Sequence, residues 1–145
     1  MCLKTKMAKD FFSNGFNCAQ SVLAVFCEKY DMDRDIALKI AGGLGGGFRH
    51  GDMCGAVSGA VLVVGLKYGH CTVDAGELKS NCNNKTIEFM DLFKKKNGAV
   101  ICREILKYDL SVEAEYKQAQ EQNLFKTICM DMVVSAVEIL EELGY

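Results

Sequence analysis

Apolar residues fall at helical spacing along almost the whole of this 145-residue chain, and no proline interrupts them. The one β-branched run, residues 61–64, is short and flanked by Gly59 and Gly65, so it argues for no sheet. The spacing predicts an all-α fold, a compact multi-helix bundle in one domain over residues 1–145. No linker, low-complexity tract or internal repeat divides it. Helices are expected over 4–14, over 18–30 behind the N-cap Asn17, and in "DRDIALKIA", stopped by Gly42 and Gly43. Others are expected over 54–68, 74–97, 100–107, after Ser111, and over 124–143. The last carries Leu124, Ile128, Met132, Ala136 and Leu140 as one stripe. The fourth is apolar almost all round and is expected at the centre of the bundle. Its Gly55 and Gly59, with Ala56, Ser58 and Ala60, let another backbone come close.

A glycine-rich approach, "GGLGGGFRHGDMCG", leads into that central helix. It is no nucleotide cradle. Counted from Gly43 the dinucleotide pattern G-x-G-x-x-G meets Phe48, counted from Gly45 it meets His50, and no G-K-[ST] ends the run. The segment before it has helical spacing (Ile36, Ile40), whereas both nucleotide motifs need a strand there. Nor does the apolar stretch 56–66 approach the roughly 20 residues that span a bilayer, so no direct membrane insertion is expected. What remains is a loop that delivers Cys54 to the start of a buried helix.

Charge narrows the partners. Seventeen basic and nineteen acidic residues leave a net charge of −2, without the basic excess of a nucleic-acid binder. The opening "MCLKTKMAKDFF" has no apolar core of a secretory signal, and a cytoplasmic location is expected. Eight cysteines then stand out. In a reducing compartment that number points to metal binding or thiol redox chemistry rather than a disulfide framework, although a cysteine can also serve as a small buried hydrophobe.

Helix placement sorts the thiols. Cys18 follows the Asn17 cap, Cys54 opens the central helix, Cys102 begins "CREIL", and Cys129 lies in the stripe of the last helix. The first three sit near helix N-termini, where free N–H groups favour a thiolate and are expected to lower its pKa. Cys27, nine residues after Cys18 at 100° per residue, is expected to face away from the core. Cys2 lies in a terminus and Cys71 after a helix stop. Cys82 shares a stripe with Leu78 and Phe89 and is expected to pack. His50 lies within reach of Cys54, Arg49 and Arg103 flank the same region, and His70 has no evident partner. C-x-x-C, C-x-x-C-H and ferredoxin spacings are all absent. A shared site must therefore be assembled from distant helices, and no c-type haem is attached.

"NCAQSV", "GDMCGAVSGAVLVVGLKYG", "CREIL" and a cysteine in the last helix together resemble the redox-active C_GCAxxG_C_C family. The resemblance covers most of the chain. It implies a compact helical domain whose family cysteines are Cys18, Cys54, Cys102 and Cys129. It also implies a link to membrane transporters or a redox partner, and an iron–sulfur centre proposed for similar domains that are joined to haem segments this chain lacks. Three readings stay open. The four cysteines bind an iron–sulfur cluster or another thiolate-held metal for electron transfer or sensing. Or two of them cycle as a disulfide without metal, Cys54 attacking and Cys18 its partner. Or the chain is a non-enzymatic helical module associated with a transporter. No nucleotide or haem is expected, a homodimer is left open, and enzymatic activity is not specified.

Overall fold

The computed structural model covers Met1–Tyr145 and holds eight α-helices and no strand. They are α1 (Leu3–Ser13), α2 (Cys18–Ala24), α3 (Arg34–Ile40), α4 (Gly55–Tyr68), α5 (Gly76–Asn97), α6 (Cys102–Leu106), α7 (Glu113–Glu121) and α8 (Ile128–Glu142). Local chemistry explains several boundaries. Asn17 caps α2 by accepting from Gln20 N–H at 2.8 Å, while the Gln20 side chain accepts from Asn17 N–H at 2.8 Å. Asp33 caps α3 by accepting from Ile36 N–H. Three lysines fill the last turn of α5 before Gly98, whose φ of 87° ends the helix.

α4 runs through the middle as expected, packed against α2, α5 and α8. Ala56, Val57, Ala60, Val63 and Val64 are sealed in a core shared with Leu23, Phe26, Phe89, Phe93, Val137 and Leu140. Each large side chain so buried contributes roughly 1.5–3 kcal/mol. The closest crossing is α2 on α4. A Cβ on Gly59 would lie 2.6 Å from Ala19 O, and one on Gly55 would lie 3.1 Å from Cys18 Cβ. The two glycines thus bring the backbone of α2, and with it Cys18, against the start of α4.

Two boundaries depart from expectation. α2 ends at Ala24 and the chain tightens into a 3₁₀ turn, Cys27–Tyr30. The 100° count from Cys18 therefore breaks, and Cys27 is fully buried instead of facing away. Its thiol donates to Ala24 O at 3.4 Å. α8 begins at Ile128 rather than at residue 124, so Leu124 and Phe125 belong to the turn before it. Cys82 is half-buried against the main core; Cys2 and Cys71 are exposed.

The glycine-rich loop is the most unusual backbone in the molecule. Gly46, Gly47, Phe48 and Arg49 have φ of 64°, 61°, 60° and 55°, one left-handed turn with two side chains in it. Left-handed backbone costs a non-glycine residue roughly 1–2 kcal/mol. The surroundings hold it in place: Asp52 N–H donates to Gly47 O at 3.1 Å, and Arg103 donates to Gly51 O at 3.2 Å and to Asp52 at 2.9 Å.

Candidate redox centre

Cys18, Cys54, Cys102 and Cys129 all line one cavity of about 550 Å³, and none of the other four cysteines reaches it. Cys18 is the first residue of α2, Cys54 caps α4, Cys102 is the first residue of α6 and Cys129 the second of α8. All four thus leave the first turn or cap of a helix, Cys129 included because α8 starts later than its apolar stripe suggests.

A feature that spacing could not announce locks two of them in register. Residues 52–54 and 100–102 run antiparallel, with Met53 opposite Ile101. Cys54 N–H donates to Val100 O at 2.8 Å and Cys102 N–H to Asp52 O at 2.6 Å. Neither segment has a strand's length or pattern; the pairing follows from the helices on either side. Gly45 adds a second constraint, since a Cβ there would overlap the Asn17 side chain. That side chain bonds Ala41 O and Gly42 O, tying the start of α2 to the loop.

The electrostatics differ from thiol to thiol. Cys18 and Cys129 act on each other more than on any other group: Cys129, with burial, pushes the Cys18 pKa up, and Cys18 lowers that of Cys129. Cys54 is pushed up to about 11, because burial outweighs its bonds from the N–H groups of Ala56 and Val57. Burial, reinforced by the neighbouring Cys54 and Cys129, pushes Cys102 up to about 12. The depression expected at the helix N-termini of Cys18, Cys54 and Cys102 is thus overridden by burial and by the other thiols. Of the four, only Cys129 is shifted downward, and the cause is its neighbour Cys18.

Arg49 lines the cavity, its guanidinium 4.5 Å from the centre of the Tyr116 ring. Arg103 instead faces Asp52 in an exposed ion pair. His50 is exposed beside Asp52 at 3.3 Å and does not line the cavity. His70 is likewise exposed, with Thr72 O its nearest partner. No three histidine, cysteine, aspartate or glutamate side chains gather around a single ion position. A closed zinc site draws its sulfurs to about 2.3 Å from one ion, and the four thiols are not gathered in that way.

An all-α bundle with four helix-borne cysteines around one cavity defines a class of small cysteine-centred proteins. The chain belongs to the family described as putative redox-active protein (C_GCAxxG_C_C), whose model matches residues 16–143. All four cavity cysteines fall within that span. The family label writes Gly-Cys-Ala, whereas this chain reads Cys54-Gly55-Ala56 before Gly59. Comparison with curated proteins and with solved structures finds no match.

Proposed function

We infer that Cys18, Cys54, Cys102 and Cys129 hold an iron–sulfur cluster and that the protein passes electrons to a separate redox partner. One observation carries this reading: four cysteines from four distant parts of the chain line a single cavity, and no other cysteine does. The donor set fits. Thiolates select cluster metals, and a cluster of several irons asks for more widely spaced sulfurs than one ion does. Bound there, a cluster would supply one-electron transfer.

The chain's own residues prepare the place. Cys54 and Cys102 are 6 % and 7 % exposed, which shields the sulfurs from water and oxidants. Their raised pKa values mean that loading at neutral pH must release protons. The antiparallel pairing of 52–54 with 100–102 fixes two of the thiols, and the capping box of Asn17 a third. No helix is long and apolar enough to cross a membrane, so a transporter partner would be met at its surface.

The test is iron, zinc and acid-labile sulfide content, with a visible spectrum, on protein purified without oxygen. Iron and sulfide in equal amounts, both lost on Cys54→Ser, are expected. Metal-free protein with four titratable thiols on the cavity would overturn the cluster.

Cys18 and Cys129 line the same cavity and each is the leading influence on the other's thiol, which supports a second reading, a thiol–disulfide exchanger without metal. The Cys129 thiolate would attack a partner disulfide and release one partner thiol, forming a mixed disulfide. Cys18 would then attack the Cys129 sulfur, closing Cys18–Cys129 and releasing the second partner thiol. A Cys18–Cys129 disulfide found by peptide mapping of metal-free protein after exposure to oxidised glutathione would favour this exchange.

A further inference from the structure

The cavity is larger than the sulfurs require, and its remaining walls have a chemistry of their own. At about 550 Å³ it falls in the range of pockets that enclose small organic molecules. Apart from the cysteines its walls are mainly apolar, with Phe12, Phe16, Leu110, Tyr116 and Phe125 among them. Tyr116 and Phe125 lie with ring centroids 5.2 Å apart, a ready aromatic surface.

Charge is the second observation. In a chain with more acidic than basic residues, no aspartate or glutamate lines this cavity, while Arg49 and Lys126 both do. Both are exposed, and neither takes part in any ion pair of the structure. Arg49 is also positioned at a cost. It occupies the left-handed turn, its side chain runs over Gly46, where a Cβ would lie 3.2 Å from Arg49 Cδ, and its guanidinium rests on Tyr116. Strained backbone persists where its surroundings over-determine it, and such positions concentrate at ligand clamps.

We propose that the cavity is a binding site for a small organic anion with an aromatic body. The body lies against Tyr116, Phe125 and the apolar wall, and the anionic group meets Arg49 at the rim with Lys126 in support. A guanidinium suits this task because its planar fork of donors matches a carboxylate. The ligand would then sit beside the four cysteines, within reach of whatever redox chemistry they perform. The binding shares the cavity with the cluster reading but does not depend on a cluster being present.

The experiment is isothermal titration of the full chain, purified without oxygen, with aromatic carboxylates from benzoate through 1-naphthoate to biphenyl-4-carboxylate. The neutral 1-naphthalenemethanol serves as comparison, and metal content is measured on the same sample. Saturable binding of at least one carboxylate is expected, about tenfold tighter than the alcohol, as a charged hydrogen bond implies. Arg49→Gln should remove about that tenfold and leave the alcohol unaffected. Lys126→Gln should have a smaller effect in the same direction, and Lys85→Gln, away from the cavity, none. Absence of binding across the series, or carboxylate and alcohol binding alike, overturns the proposal. Binding that survives Arg49→Gln and Lys126→Gln together overturns it too. Metal-free protein that still binds the carboxylate ends the cluster and keeps the ligand site; iron-loaded protein that binds none of them does the reverse.

Discussion

The two sides of the cavity are built differently. Cys18 and Cys54 stand on α2 and α4, inside or against the large core of 22 buried residues. Cys102 and Cys129 belong to a second cluster whose buried members are only Cys102, Leu106, Leu110 and Ala119. α8 joins the two, with Cys129 at its start on the small cluster and Val133 and Ala136 in the large one. Cys18 and Cys54 are thus fixed where α2 and α4 come into close backbone contact. Cys102 stands on the five-residue α6 and Cys129 on the first turn of α8, over the small cluster, and the antiparallel pairing of 52–54 with 100–102 ties this side to Cys54. A centre assembled in this way has one rigid wall and one that can give, which suits a site that must admit something before it holds it.

The largest expected effect breaks the rigid wall. Gly59→Val places a side chain into the backbone of Ala19, where nothing flexible can move aside. Parting α2 from α4 should cost about 3 kcal/mol in urea unfolding. Gly65, on the same helix, is exposed with nothing within 4 Å of its Cβ position. Gly65→Ala should therefore stabilise by about 0.5–1 kcal/mol through helix propensity alone. Equal effects of the two substitutions would refute the close crossing as the source of rigidity.

Next in size is the yielding wall. Leu110 is 6 % exposed in the small cluster. Leu110→Ala should cost about 2 kcal/mol, the low end for a buried leucine, because so small a cluster can collapse around the gap. The comparison sharpens in hydrogen exchange. The amide of Cys102, bonded to Asp52 O, should exchange faster in this variant, while that of Val63, deep in α4, keeps its protection. Loss of protection at both amides would mean that the walls unfold as one unit.

The sequence made the rigid wall easier to read than the other. Unbroken helical spacing, the Asn17 cap and the small residues Gly55, Ala56 and Gly59 all act locally, so all-α architecture and a central α4 could be expected from them. The four cavity cysteines could be grouped because each stands near a helix start or on an apolar stripe. What stayed hidden depends on tertiary packing. The pairing of Met53 with Ile101 joins two segments that have no strand character. The left-handed turn puts Phe48 and Arg49 where glycine would be expected, and the position of Arg49 over Tyr116 follows from that turn alone. The thiol pKa values run against the helix-end expectation for the same reason: helix ends are visible in a sequence, whereas the burial that outweighs them is not.

Cys27 gives the smallest effect and isolates burial from the cavity. Helical spacing points it outward, yet it lies fully buried in the large core with no other thiol pressing on it. Burial is the leading cause that pushes its pKa up. The folded chain then holds this proton more tightly than the unfolded chain does. The stability it contributes is complete below about pH 9 and is lost as pH rises beyond that value. Cys27→Ala should make the alkaline fall of stability shallower in urea unfolding across pH 8 to 10.5 or so, whereas Cys71→Ser, at an exposed site, should leave it unchanged. A fall just as steep in Cys27→Ala would show that burial in the rigid core does not hold this proton.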